Sequence, residues 1–120
     1  MSERKKKVFI SVTMSGKEDA LIERAIQICK VRYLKAVGKS AKEVEFYDNF
    51  HGAKGFFSNS VQPPLRYLGY AIYMLADCDE AAFGEGWKSA RGCRIEYKVC
   101  QEYGIKTYRF GKIVKIKKDE

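Results

Sequence analysis

A single histidine, His51, stands among 120 residues, and the four cysteines, Cys29, Cys78, Cys93 and Cys100, include no pair spaced two residues apart. This scarcity argues against a structural zinc site, which gathers four Cys or His ligands, so no metal is expected. The thiols read instead as reduced, mostly buried small hydrophobes. No run approaches the roughly 20 apolar residues that cross a bilayer. Met1-Ser-Glu-Arg-Lys-Lys-Lys7 passes directly into a strand-like segment rather than the apolar region of a signal peptide. The expectation is a cytoplasmic protein without a membrane partner. Val8 to Gly16 has neither the Walker spacing nor a dinucleotide fingerprint. ATP hydrolysis on a phosphate loop and a Rossmann dehydrogenase are therefore demoted, and no cofactor is expected.

What is present is apolar residues at 46% and a basic excess of 23 Lys and Arg over 15 Asp and Glu, a formal charge of +8. The apolar share suffices for one packed core, which predicts a single domain over 1–120 with basic tails at 1–6 and 112–120. The charge favours anionic partners without naming them, and solvated tails that aid solubility explain it equally well. Nucleic acid is not the favoured partner, because the basic residues are not interleaved with aromatics in a recognisable binding motif.

Val8-Phe-Ile-Ser-Val12 is β-branched and apolar on both faces, as a central parallel strand requires. Thr13-Met-Ser-Gly16 ends it, and Ser15 or Gly16 caps a long helix from Lys17 to about Val37, where Leu21, Ile22, Ala25, Ile26, Cys29 and Tyr33 recur at helical spacing. Glu43 to Tyr47 alternates as a second strand. Asp48 to Pro64, with two glycines and Pro63-Pro64, reads as a long loop. A second helix from Leu65 to Ala76, a strand from Asp79 to Phe83, a third helix from Ser89 to Tyr103 and a strand from Ile105 to Phe110 follow. Ile113, Val114 and Ile116 offer an edge strand or a partner contact. Strands alternating with helices predict an α/β open, mostly parallel sheet of four to five strands with helices on both faces. Ligands of such sheets bind beyond the carboxyl ends of the strands. Those ends lead into Thr13 to Gly16, Asp48 onward and Gly84 to Ala90.

On a wheel of the third helix, Cys93, Ile95, Val99, Cys100 and Tyr103 share one arc, opposite Arg94, Lys98 and Gln101, and Glu96 falls inside the apolar arc. A carboxylate there is costly to bury, so it meets a buried cation, with Arg91 and Lys106 the candidates, or it faces a ligand cavity; the remaining alternative is a shifted helix register. Gly86 and Gly92 permit close backbone approach to a ligand, the new helix offers amide donors, and Arg91 can clamp a phosphate. Trp87 suits either stacking on a base or an aromatic lid over the core.

Taken together, Val8-Phe-Ile-Ser-Val-Thr-Met-Ser-Gly16, Pro64-Leu-Arg-Tyr-Leu-Gly69, Ala76-Asp-Cys-Asp79, Gly86-Trp-Lys-Ser-Ala-Arg-Gly-Cys-Arg-Ile-Glu96 and Glu102-Tyr-Gly-Ile105 resemble the nucleoside 2-deoxyribosyltransferase-like superfamily, in particular its small branch from bacteria and their phages. The resemblance spans roughly residues 7 to 110. It implies a flavodoxin-like sheet and cleavage or transfer at the N-glycosidic bond of a nucleoside or nucleotide, with Glu96 as the nucleophile. It further implies a substrate held by Ser11, Met14, Ser15 and Gly16 of the first loop and by Gly86, Trp87, Ser89, Arg91 and Gly92 of the third. A homo-oligomer is implied as well, and the sequence itself lends it support through the aromatic pair Phe56-Phe57 and the apolar residues of the C-terminal tail. Two positions depart from the pattern: Ala71 stands where an aspartate assists the leaving base, and Ala90 where a serine holds phosphate, with Ser89 or Arg91 able to compensate. The alternative is a non-catalytic protein that binds a nucleotide or nucleotide-like signal.

Overall fold

The computed structural model describes residues 4–52 and 61–111. Its main elements are β1 (Lys6–Ser11), α1 (Asp19–Val37), β2 (Val44–Asp48), α2 (Pro63–Leu75), β3 (Glu80–Phe83), α3 (Arg91–Tyr103) and β4 (Lys106–Arg109). Every strand pairing is parallel, in the order β2-β1-β3-β4. That is the flavodoxin-like order, in which β1 and β3 flank the switch point. Four strands fall among the described residues. The edge strand expected around Ile113, Val114 and Ile116, the basic tail 112–120 and Phe56-Phe57 lie outside them.

Alternation along the strands builds two cores. Val8 and Ile10, with Val44 and Ala82, meet Ile22, Ile26, Cys29 and Tyr33 of α1. Phe9, Ala81 and Phe83 turn the other way, against Ala71 and Leu75 of α2 and Cys93 and Cys100 of α3. Side chains of a strand point alternately to opposite faces, so Ser11 follows Phe9 toward the α3 side. That alternation positions the site described below.

The element boundaries shift from the expected ones for identifiable reasons. β1 opens at Lys6, which pairs with Val44, and ends at Ser11. Lys6 therefore belongs to the sheet rather than to a tail. Neither Ser15 nor Gly16 caps α1; the cap position is Glu18, and its side chain makes no capping bond. Glu43 precedes β2 in a 3-10 turn, Ala41–Glu43, that Ser40 and Glu43 close reciprocally as a capping box. Pro63 and Pro64 open α2 instead of ending the loop, since a helix's first turn leaves its N–H groups unbonded and proline forfeits nothing there. The intervening loop also holds one helical turn, Asn49–Gly52. The third helix begins at Arg91, after a 3-10 turn over Trp87–Ser89.

At the amino ends of the strands, the buried Glu80 carboxylate accepts the Tyr33 hydroxyl at 2.6 Å and faces the Lys6 ammonium at 3.3 Å. Asp79 accepts two bonds from Arg4 and one from the Lys7 amide. No helix among the described residues is long and apolar enough to cross a membrane.

Candidate functional site

Glu96 lies in the second turn of α3, on the face turned to the sheet, and is 7% exposed. The inward arc is narrower than the wheel suggests: Cys93, Glu96 and Cys100 are buried, whereas Ile95 and Tyr103 are 38% and 81% exposed. Neither Arg91 nor Lys106 pairs with the carboxylate, and no cation among the described residues does. Its partner is the Ser11 hydroxyl, which donates to Oε1 at 2.6 Å across a separation of 85 residues. Ser11 is itself 3% exposed. Burial pushes the Glu96 carboxyl up to about 7, against the smaller opposing pull of the Ser11 bond. A carboxylate held without a counter-charge at the carboxyl end of β1 is a group that titrates near neutrality.

The bond to Ser11 gives a direct expectation. In Ser11→Ala the ionised form loses its donor, so the Glu96 carboxyl should move further up. Titration of the carboxyl by difference infrared spectroscopy reads this shift. An unmoved midpoint would show that Ser11 does not act on Glu96.

The helix geometry decides what can reach this carboxylate. Side chains of a helix lean toward its amino end, so Glu96 leans over the turn that contains Gly92, four residues earlier. A Cβ at Gly92 would meet no atom within 4 Å. The helix start is uncapped as well: Ala90 occupies the cap position and offers no side-chain bond. The first amides of α3 thus have no side-chain cap, and a helix start of this kind offers an anionic or hydroxyl group donors and a favourable dipole.

The other residues expected at the site come from the loops after β1 and β3. Thr13 and Met14 are half-buried, and Ser15 and Gly16 form an exposed turn closed by the Lys17 amide on the Met14 carbonyl at 3.1 Å. Gly86 has φ +83, a conformation that glycine adopts without strain. Its carbonyl accepts the Ser89 hydroxyl at 2.9 Å and the Thr13 hydroxyl at 3.3 Å. Thr13, absent from the sequence-based set, ties the two loops together. Gly84, which opens the loop after β3, packs closely on the loop after β1: a Cβ there would come within 3.1 Å of Val12 Cγ1. Ser89 and Arg91 are exposed beside the start of α3. Trp87 is 8% exposed, with ring centroids 5.5 Å from Phe83 and 4.8 Å from Tyr97.

The two alanines have structural places. Ala71 is fully buried in the core between α2 and β3. Asp79 cannot stand in for an acid at that position, because it is bound to Arg4 at the opposite end of the sheet and held down to about 2, first by that bond. All four cysteines are free; burial pushes Cys93, beside Glu96, up to about 11, so it remains a thiol. Among the described residues no three of His, Cys, Asp and Glu gather to hold a metal ion.

No curated protein and no solved structure matches the chain. Residues 6–108 match a family described as "Domain of unknown function (DUF4406)", a span that runs from the first residue of β1 to the third of β4 and contains both Ser11 and Glu96. The chain belongs to the DUF4406 family.

Proposed function

We propose that the protein cleaves or transfers the N-glycosidic bond of a nucleoside or nucleotide, with Glu96 as the nucleophile. The observation that carries this reading is a buried carboxylate, free of any cation among the described residues, at the switch point of a flavodoxin-like sheet. In the first step a Glu96 oxygen bonds to the anomeric carbon, while the carbon–nitrogen bond breaks and its electron pair leaves with the base, which takes up a proton. In the second, water or another base attacks the same carbon and restores the carboxylate. Ser11 fixes one oxygen and leaves the other for attack. The α3 amides and Arg91 receive a sugar hydroxyl or a phosphate, with Met14, Ser15 and Gly16 along the other side.

Attack requires the ionised form, so the rate should rise with pH through about 7 and then level on that limb. A panel of nucleosides and nucleotides, assayed for base release and base exchange, tests the activity. Turnover of at least one member that disappears in Glu96→Gln supports it, and silence across the panel contradicts it. The buried alanine at position 71 favours a second reading, in which the same residues bind a nucleotide without cleaving it; retained ligand with no turnover would identify that case.

A further inference from the structure

At the pole opposite Glu96, where the amino ends of β1 and β3 meet the end of α1, the surface opens into a cleft of about 660 Å³. Five of its lining side chains are cationic: Arg4, Lys5, Lys6, Lys39 and Lys42. Its two carboxylates, Glu43 and Asp79, are already engaged. Asp79 binds Arg4 and the Lys7 amide, and Glu43 accepts the amide and hydroxyl of Ser40. Lys6 faces Glu80. That leaves Lys5, Lys39 and Lys42, none of which pairs with a carboxylate among the described residues. They come from three segments: the lead into β1, the exit of α1, and the turn before β2.

We propose that this cleft is a second binding site, for a run of phosphates. Three ammonium groups on separate segments, facing a space large enough for a small ligand, match several negative charges in sequence better than a single anion. Lysine acts as a point charge without the planar fork of arginine, so the site selects for charge density rather than for one oxyanion geometry. Oligophosphate chemistry has two sources, a free polyphosphate and the backbone of a nucleic acid strand. The site is separate from Glu96 and does not depend on its chemistry.

The full-length protein is titrated with inorganic tripolyphosphate by calorimetry and with a fluorescein-labelled oligothymidylate by anisotropy, each at several salt concentrations. Three neutralised phosphates predict a slope of about −2 in log affinity against log salt for the single strand. Lys39→Glu with Lys42→Glu should weaken binding at least about tenfold. Arg24→Glu with Lys98→Glu, which changes net charge equally on exposed faces of α1 and α3, should weaken it far less. Binding of tripolyphosphate alone identifies a free ligand, and binding of the oligonucleotide identifies a strand; either supports the site. Absence of binding to both probes at low salt overturns it, as does an equal loss in the two charge-reversed variants.

Discussion

Glu96→Gln should be more stable than the wild type above about pH 7 while losing all measurable turnover. The sign follows from where the proton sits. Glu96 titrates at about 7 in the fold against 4.5 for the ordinary side chain. Below both values the carboxyl is protonated in either state and contributes nothing. Between them the unfolded chain sheds the proton first, and stability falls as pH rises. Above about 7 the whole cost of a buried, unpaired charge is present, at most about 3 kcal/mol for the difference. Glutamine has nearly the same shape, accepts a hydrogen bond from the Ser11 hydroxyl through its amide oxygen and carries no charge. The variant should therefore melt up to roughly 10–15 °C above the wild type at about pH 8 and close to it at about pH 4. Loss of turnover should reach at least about 1,000-fold, since the neutral amide of glutamine does not attack as a carboxylate does. A melting difference that does not depend on pH would mean that Glu96 is not ionised at this cost.

Gly92→Leu should have the second-largest effect and in the opposite sense: fold kept, ligand lost. A side chain at position 92 meets no protein atom within 4 Å at its Cβ. Leucine is also the better helix former, by roughly 0.5–1 kcal/mol. Yet it would cover the uncapped amides at the start of α3 and the space over which Glu96 leans. Affinity for nucleoside or nucleotide should fall on the order of 100-fold, with an unchanged or slightly raised melting temperature, and Gly92→Ala should fall between the two. Equal affinity in the leucine variant would place the approach to Glu96 elsewhere.

The parts of this site differ in how openly the sequence announces them. The inward position of Glu96 is a local property of α3, and helical spacing reveals it without knowledge of the sheet. The strands are legible for the same reason, because apolar residues on both faces of Val8 to Val12 demand cover on both sides. The Ser11 partner is different in kind. It depends on β1 and α3 being brought together across 85 residues, and a serine within a strand carries no local mark of that. The Thr13 bond to Gly86 is hidden likewise. Two missed boundaries were readable: Ser40-Ala-Lys-Glu43 has the spacing of a capping box, and Pro63-Pro64 before an apolar run is a helix start. The narrow buried arc of α3 was not, because how far a helix sinks into the sheet depends on its neighbours, and here only Cys93, Glu96 and Cys100 reach it.

The most direct test of Glu96 as a glycosyl nucleophile is mass spectrometry of the protein mixed with a pool of nucleosides and nucleotides and quenched during turnover. The expected result is an added mass equal to a sugar or sugar phosphate, mapped by proteolysis to the peptide containing Glu96 and absent from Glu96→Gln. An unmodified chain under conditions in which base is released, or an adduct on any other residue, would contradict it.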